Sequence, residues 1–160
     1  MVKLGLYLKA ELENVTDLRP TDDYEWHFKI QCGSCRETDE NWISFNPHET
    51  VDIPGSRGSA NLVMRCKFCK RESSAQFEPG VKIGSYSAEQ NGKAQKLAVF
   101  DCRGLELVGF SPRDTWTAKG VESDTPFTEI DLSEDWADYD EKSGEPVGIS
   151  NVEAEFRKEK

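Results

Sequence analysis

Two cysteine pairs, Cys32-Gly33-Ser34-Cys35 and Cys66-Lys67-Phe68-Cys69, stand thirty residues apart and constrain the chain more than any other feature. Zinc favours four tetrahedral ligands with Zn–S about 2.3 Å, and a C-x-x-C turn brings two thiolates to one ion without straining the backbone. Two such turns complete a shell. The expected ligands are therefore Cys32, Cys35, Cys66 and Cys69, holding one Zn2+ per chain. Each pair lies where a strand signal runs into a turn, after Ile30-Gln31 and after Met64-Arg65, as in the paired knuckles of zinc ribbons. The insert between them is long for such a site but contains its own Trp42 to Phe45 strand signal, so a hairpin or loop can bring the pairs together.

Other uses of the cysteines fit less well. A thioredoxin-type C-x-x-C opens a helix after a strand, whereas polar Glu37 to Glu40 and a β-like Trp42 segment follow here. Catalytic zinc needs an open ligand position and a nearby base, and four cysteines leave none open. Copper(I) is satisfied by two thiolates, so four suit zinc better, although a metal-transfer role stays open. Four thiolates and one Zn2+ carry a net double negative charge, which the basic flanks Arg36, Arg65, Lys67, Lys70 and Arg71 are placed to offset. Cys102, alone at the end of a strand signal, reads as a core thiol, His27 as a surface or interstrand residue, and His48 as part of a Pro-containing loop. No Ser/His/Asp arrangement stands out, and Gly55 to Gly58 lacks the lysine and helix of a phosphate-binding loop.

Hydrophobic periodicity points to an all-β protein with at most a short helical turn. From Lys3 to Glu13, Leu4, Leu6, Leu8, Ala10 and Leu12 alternate with polar or small residues, and Tyr24, Trp26, Phe28 and Ile30 repeat the pattern up to Cys32. Asn14 to Asp23 between them carries turn residues. Shorter strands are expected at Asn41 to Phe45, Asn61 to Arg65, Ser73 to Phe77, Gln95 to Cys102, Phe127 to Leu132 and Val152 to Phe156. Ser56 to Ala60 reads as a flexible loop. The run before Leu18-Arg19-Pro20, with Trp26 following, is echoed by the run before Phe110-Ser111-Pro112, with Trp116 following. We therefore expect two pseudo-related β-sandwich or barrel-like halves in one compact unit, divided near polar Ser87 to Gly92. Residues 1–86 form the half with the zinc-ribbon-like site, and residues 87–160 the half with the acidic C-terminal segment.

Charge narrows the partners. The net charge of −10 opposes binding to a phosphate backbone, so nucleic acid is not expected. The longest stretch without Asp, Glu, Lys or Arg is the eight residues Asn41 to His48, far short of the roughly 20 that span a bilayer. No secretory signal is visible at the N-terminus, which favours a reducing compartment: the cytoplasm, and the nucleus as well. Glu129 to Glu145 holds eight acidic residues against the single Lys142, with Trp136 and Tyr139 among them. That pattern suits a solvated loop, or a docking surface for a basic protein partner.

Several stretches together resemble a known family. They are the run from Leu6 to Pro20, the two C-x-x-C pairs and Gly55-Ser56-Arg57-Gly58-Ser59-Ala60. Cys102-Arg103-Gly104-Leu105-Glu106, Gly120-Val121-Glu122-Ser123 and Asp135-Trp136-Ala137-Asp138-Tyr139-Asp140 complete the set. The chain resembles the eukaryotic CXXC-motif-containing zinc-binding proteins over essentially its whole length. The resemblance implies a mainly β, elongated structure of two pseudo-related halves, zinc on the residues matching Cys32, Cys35, Cys66 and Cys69, and no established catalytic activity. The expectation is a monomeric binding or scaffolding protein that is not an enzyme, with a metal-delivery factor or thiol-redox protein as the competing class.

Overall fold

The computed structural model describes residues 2–159. Fourteen strands follow one another: β1 (Val2–Glu13), β2 (Val15–Pro20), β3 (Trp26–Cys32), β4 (Ile43–Phe45), β5 (Val51–Asp52), β6 (Ser59–Ala60) and β7 (Leu62–Arg65). Then come β8 (Glu72–Phe77), β9 (Gln95–Arg103), β10 (Leu105–Ser111), β11 (Trp116–Gly120), β12 (Pro126–Ile130), β13 (Trp136–Asp140) and β14 (Glu145–Lys158). The protein is all-β, and among the described residues one short 3-10 turn at Ala88–Gln90 is the sole helical element.

A six-stranded sheet runs β13-β14-β1-β9-β8-β7, with three-stranded sheets β10-β3-β4 and β12-β11-β2 and the small β5-β6 ribbon beside it. The first strand lies inside the large sheet, with β1 between β14 and β9. Two single residues route the chain between sheets. Asn14 (φ 58°) passes it from β1 into β2, and Gly104 (φ 80°) passes it from β9 into β10. Asn tolerates the left-handed region and Gly enters it without steric cost.

The apolar alternation of β1 and β3 is buried as expected: Leu6, Leu8 and Ala10 are fully inside, as are Trp26, Phe28 and Ile30. Across the interior an aromatic cluster joins the sheets. Trp26 packs edge-on against Phe77 at 5.3 Å between ring centroids, Phe28 meets Phe45 at 4.9 Å and Phe100 at 5.2 Å, and Phe77 meets Phe100 at 4.7 Å. Each buried ring contributes roughly 1.5–3 kcal/mol by burial, with edge-to-face contacts adding a fraction of that.

Six strands arise where the pattern read as loop or gave no signal. Val15–Pro20 holds Thr16, Asp17 and Pro20, which suggest a turn, yet Val15, Leu18 and Pro20 are buried. Asn14 makes the turn, and Asp17 (φ 58°) forms a bulge opposite a register shift between Thr117 and Lys119 of β11. Leu105–Ser111 and Trp116–Gly120 carry small or charged residues that mask their alternation. The acidic segment is a strand too: Trp136–Asp140 pairs with Ile149–Glu145 of β14, which is 14 residues long rather than the expected five. Ser59–Ala60, expected within a loop, pairs with Val51–Asp52.

Candidate metal centre

Both cysteine pairs adopt the same turn. In the first, the Cys32 N–H donates to the Glu37 carbonyl at 2.9 Å and the Arg36 N–H donates to the Cys32 carbonyl at 3.1 Å. In the second, Cys66 N–H donates to Arg71 O and Lys70 N–H to Cys66 O, both at 2.9 Å. Arg36 (φ 65°) and Lys70 (φ 67°) occupy the same left-handed position after the second cysteine. This twin geometry points both thiols of each pair to one side.

The elements then bring the turns together. The first knuckle continues β3, and its Gly33 N–H donates to the Gly104 carbonyl at 2.8 Å. Beside it Cys32 pairs in register with Leu105 of β10. The second knuckle closes the β7–β8 hairpin, where Arg65 pairs with Glu72 at the edge of the large sheet. The site therefore bridges two sheets at the point where β9 hands the chain to β10.

The four sulfur atoms lie within 4.8 Å of one another, with Cys32 Sγ 3.6 Å from Cys69 Sγ and Cys35 Sγ 3.6 Å from Cys66 Sγ. Two sulfurs on one tetrahedral ion at a bond length of 2.3 Å stand about 3.8 Å apart, so the cluster has the size of a four-thiolate zinc shell. A disulfide would need about 2.05 Å, and all five cysteines are free. Cys32 and Cys66 are buried while Cys35 and Cys69 are half-buried. Ile30, Met64 and Leu105 line the adjoining recess and keep one side of the cluster apolar.

Backbone donors favour thiolate at the first cysteine of each pair. The N–H groups of Cys35 and Ser34 lower the Cys32 thiol to about 6, and those of Cys69 and Phe68 lower Cys66. The Glu37 N–H also acts on Cys35, but burial and the neighbouring sulfurs of Cys66, Cys32 and Cys69 outweigh it and hold that thiol up at about 12. Four sulfurs without a cation between them resist being charged together, and a divalent ion removes that conflict.

The basic flanks divide. Lys67 reaches acids that follow the first knuckle, with Nζ 3.5 Å from Glu40 and 3.9 Å from Asp39, so an ion pair spans the two segments as the cysteines do. Arg65 pairs with Glu72 at 3.4 Å, and Lys70 Nζ donates to the Lys67 carbonyl at 3.0 Å. Part of the positive charge expected to face the cluster is thus engaged with nearby carboxylates. Gly33 and Gly104 are supporting residues that cysteine spacing does not single out. A Cβ on Gly33 would meet the Gly104 carbonyl oxygen at 3.0 Å, and glycine at both positions is the signal that could have found them.

The remaining candidates lie elsewhere. Cys102 is fully buried, and burial, with the charges of Asp101 and Glu106, pushes its thiol up to about 12. His27 Nδ1 lies 3.1 Å from the Glu25 carbonyl and His48 Nε2 lies 2.9 Å from the Asp22 carbonyl. Neither joins the four cysteines, which form the one cluster of metal-ligating side chains among the described residues.

Comparison with known proteins agrees with this geometry. Residues 5–157 match the family model described as CXXC motif containing zinc binding protein, eukaryotic. The CXXC motif containing zinc binding proteins of Rattus norvegicus and Homo sapiens are 48% and 45% identical to the chain over 160 residues, covering 99% of both chains in each case. The crystal structure of C1orf123 superposes with a TM-score of 0.91 at 44% identity, covering 98% of this chain and 99% of that one. A hypothetical protein from Plasmodium falciparum superposes with a TM-score of 0.87 at 31% identity, covering 98% of this chain and 100% of that one. The chain belongs to the eukaryotic family of CXXC motif containing zinc binding proteins.

Proposed function

We propose that Cys32, Cys35, Cys66 and Cys69 hold one structural Zn2+ per chain, and that the protein is a non-catalytic binding or scaffolding component of the cytosol. The observation that carries this reading is the convergence of four sulfurs from two identical turns, a donor set that closes the shell and leaves no position for substrate. When bound, zinc supplies a cross-link between β3 and the β7–β8 hairpin. The chain's own residues do the rest: backbone N–H groups stabilise the thiolates, and Gly33 and Gly104 seat the first knuckle. Five unpaired thiols suit a reducing compartment, and no helix among the described residues is long and apolar enough to cross a membrane.

Metal analysis of the purified protein tests the stoichiometry, and X-ray absorption tests the ligands. One zinc per chain with sulfur-only coordination supports the proposal; two ions, or nitrogen in the shell, overturns it. Metal lability tests the structural role. The half-buried Cys35 and Cys69 give the competing delivery role its one point of access. Slow exchange with a zinc-selective chelator supports a structural ion, whereas rapid transfer to an acceptor with the fold intact supports delivery.

A further inference from the structure

Apart from the four sulfurs, a single cation joins the two knuckles. Sulfur contacts aside, the hydrogen bonds and ion pairs that run directly between residues 32–41 and 62–72 all belong to Lys67 among the described residues. Its ammonium lies 3.5 Å from Glu40 and 3.9 Å from Asp39. Asp39 is the shielded partner, its side chain 18% exposed against 83% for Glu40.

Both ends of this link are anchored. Lys67 stands inside the second knuckle, between Cys66 and Cys69. On the other segment the Asp39 N–H donates to the Ile30 carbonyl of β3 at 2.9 Å, and Asp39 Oδ1 accepts from the Asn41 N–H at 2.9 Å. The Glu40 carbonyl accepts from the ammonium of Lys29, also on β3. The acids are thereby tied to the strand that carries Cys32, and the cation to the turn that carries Cys66 and Cys69, so parting the knuckles stretches the pair. Lys67 and Asp39 also border the recess beside Cys32 and Cys66. Simple electrostatics gives the carboxylates no favourable role by themselves, because four thiolates with one Zn2+ keep a net double negative charge that Asp39 and Glu40 repel. Lys67 turns them into a tie.

We propose that Lys67, Asp39 and Glu40 form an ionic latch across the two knuckles that slows release of the metal. The inference rests on the reading of the four cysteines as a zinc site. Release requires one knuckle to draw its two sulfurs away from those of the other, and the latch opposes that separation while leaving the ligand set unchanged.

Zinc release from the loaded protein to a chromophoric chelator, measured at low and at about physiological salt, tests the latch. Lys67→Gln is expected to speed release roughly two- to fivefold, the range of a partly exposed ion pair. Asp39→Asn with Glu40→Gln should speed release as well. That sign is diagnostic, since removing negative charge beside a dianionic centre would otherwise slow it. Combining all three substitutions should add little to either change, and salt should speed release more in the unaltered protein than in the triple variant. Arg65→Gln is the control: it also removes a positive charge beside Cys66, but breaks the 3.4 Å pair with Glu72 inside the β7–β8 hairpin, and should change the rate little. Unchanged or slower release after removal of the two acids overturns the latch. So does a Lys67→Gln effect that is equal with and without the acids, or matched by Arg65→Gln, because Lys67 then acts on the thiolates directly. Metal analysis and X-ray absorption of the loaded proteins separate this from the underlying reading: each variant should keep one zinc on sulfur alone, and a different metal content or nitrogen ligands in the unaltered protein overturns the zinc site and the latch together.

Discussion

The backbone N–H of Gly33 donates to the carbonyl of Gly104 at 2.8 Å, which seats the first cysteine knuckle on the single residue linking β9 to β10. Gly104 has φ 80°, and a Cβ there would come within 3.1 Å of Ser73 Cβ, just past the second knuckle. One glycine thus lies against both halves of the metal centre.

Gly104→Ala should destabilise the protein by about 1–3 kcal/mol through left-handed strain and the Ser73 contact. Gly144 provides the comparison, since it has φ 75° but its nearest neighbour for a Cβ is the Tyr139 hydroxyl at 3.9 Å. Gly144→Ala should therefore cost only the backbone term. Denaturant unfolding of both variants checks the difference, and zinc affinity should fall in Gly104→Ala alone.

Metal removal should act locally. A structural zinc in small zinc-dependent folds contributes on the order of 10 kcal/mol, and an ion on the four cysteines would tie the turn after β3 to the short β7–β8 hairpin. Hydrogen exchange after chelation should show protection lost around residues 32–40 and 62–71. Protection should persist in β1, β9 and β14, whose pairing and Leu6, Leu8 and Phe100 packing do not involve Cys32, Cys35, Cys66 or Cys69. Cys66→Ser should abolish stoichiometric zinc. Cys102→Ser should leave metal content unchanged yet cost roughly 1–3 kcal/mol, because it buries a hydroxyl in an apolar site.

How much of this was legible in the sequence depends on whether a signal was local. The grouping of the four cysteines needs only C-x-x-C spacing, and the strands β1 and β3 need only period-two alternation, so both could be read directly. The strand Val15–Pro20 could not, because Thr16, Asp17 and Pro20 carry turn chemistry and the strand's pairing partners lie about a hundred residues away in β11. The same holds for Gly33 and Gly104, whose roles exist only once β3 and β10 pair. Trp136–Asp140 was obscured by its charge. It is an edge strand, and an edge can carry carboxylates that discourage further pairing.

Asp140, at the end of that edge strand, should make stability pH-dependent. Its carboxylate is buried and accepts hydrogen bonds from Ser123, from Thr125 Oγ1 at 2.9 Å and from the backbone of Lys142 and Ser143. The Ser123 hydroxyl is the main cause that brings it from the ordinary 3.8 to about 2, against the opposing effect of burial. A folded-state value below the unfolded one means that the contribution is fully present above 3.8 and is lost as pH falls through about 2. Asp140→Asn should flatten the acid limb of a stability profile over that window. Gly120→Ala should mimic part of the loss at neutral pH, because its Cβ would lie 2.5 Å from both Asp140 Oδ2 and Ser123 Oγ.

The two aromatics of the acidic strand should behave differently. Trp136 is half-buried and packs edge-on against Phe127 at 5.4 Å, whereas Tyr139 is 53% exposed. Trp136→Ala should lower stability by about 2 kcal/mol, a fraction of the loss for a fully buried ring, and should shift tryptophan fluorescence. The reading of this segment as a docking surface for a basic protein partner therefore rests on Tyr139, with Asp138 exposed beside it, rather than on Trp136. Tyr139→Ala with Asp138→Asn should leave unfolding and zinc content unchanged while slowing association, and salt should slow association of the unaltered protein through screening. Capture of basic partners at an undiminished rate by this double variant would reduce the acidic strand to an edge protected from aggregation, with Trp136 as its anchor to the core.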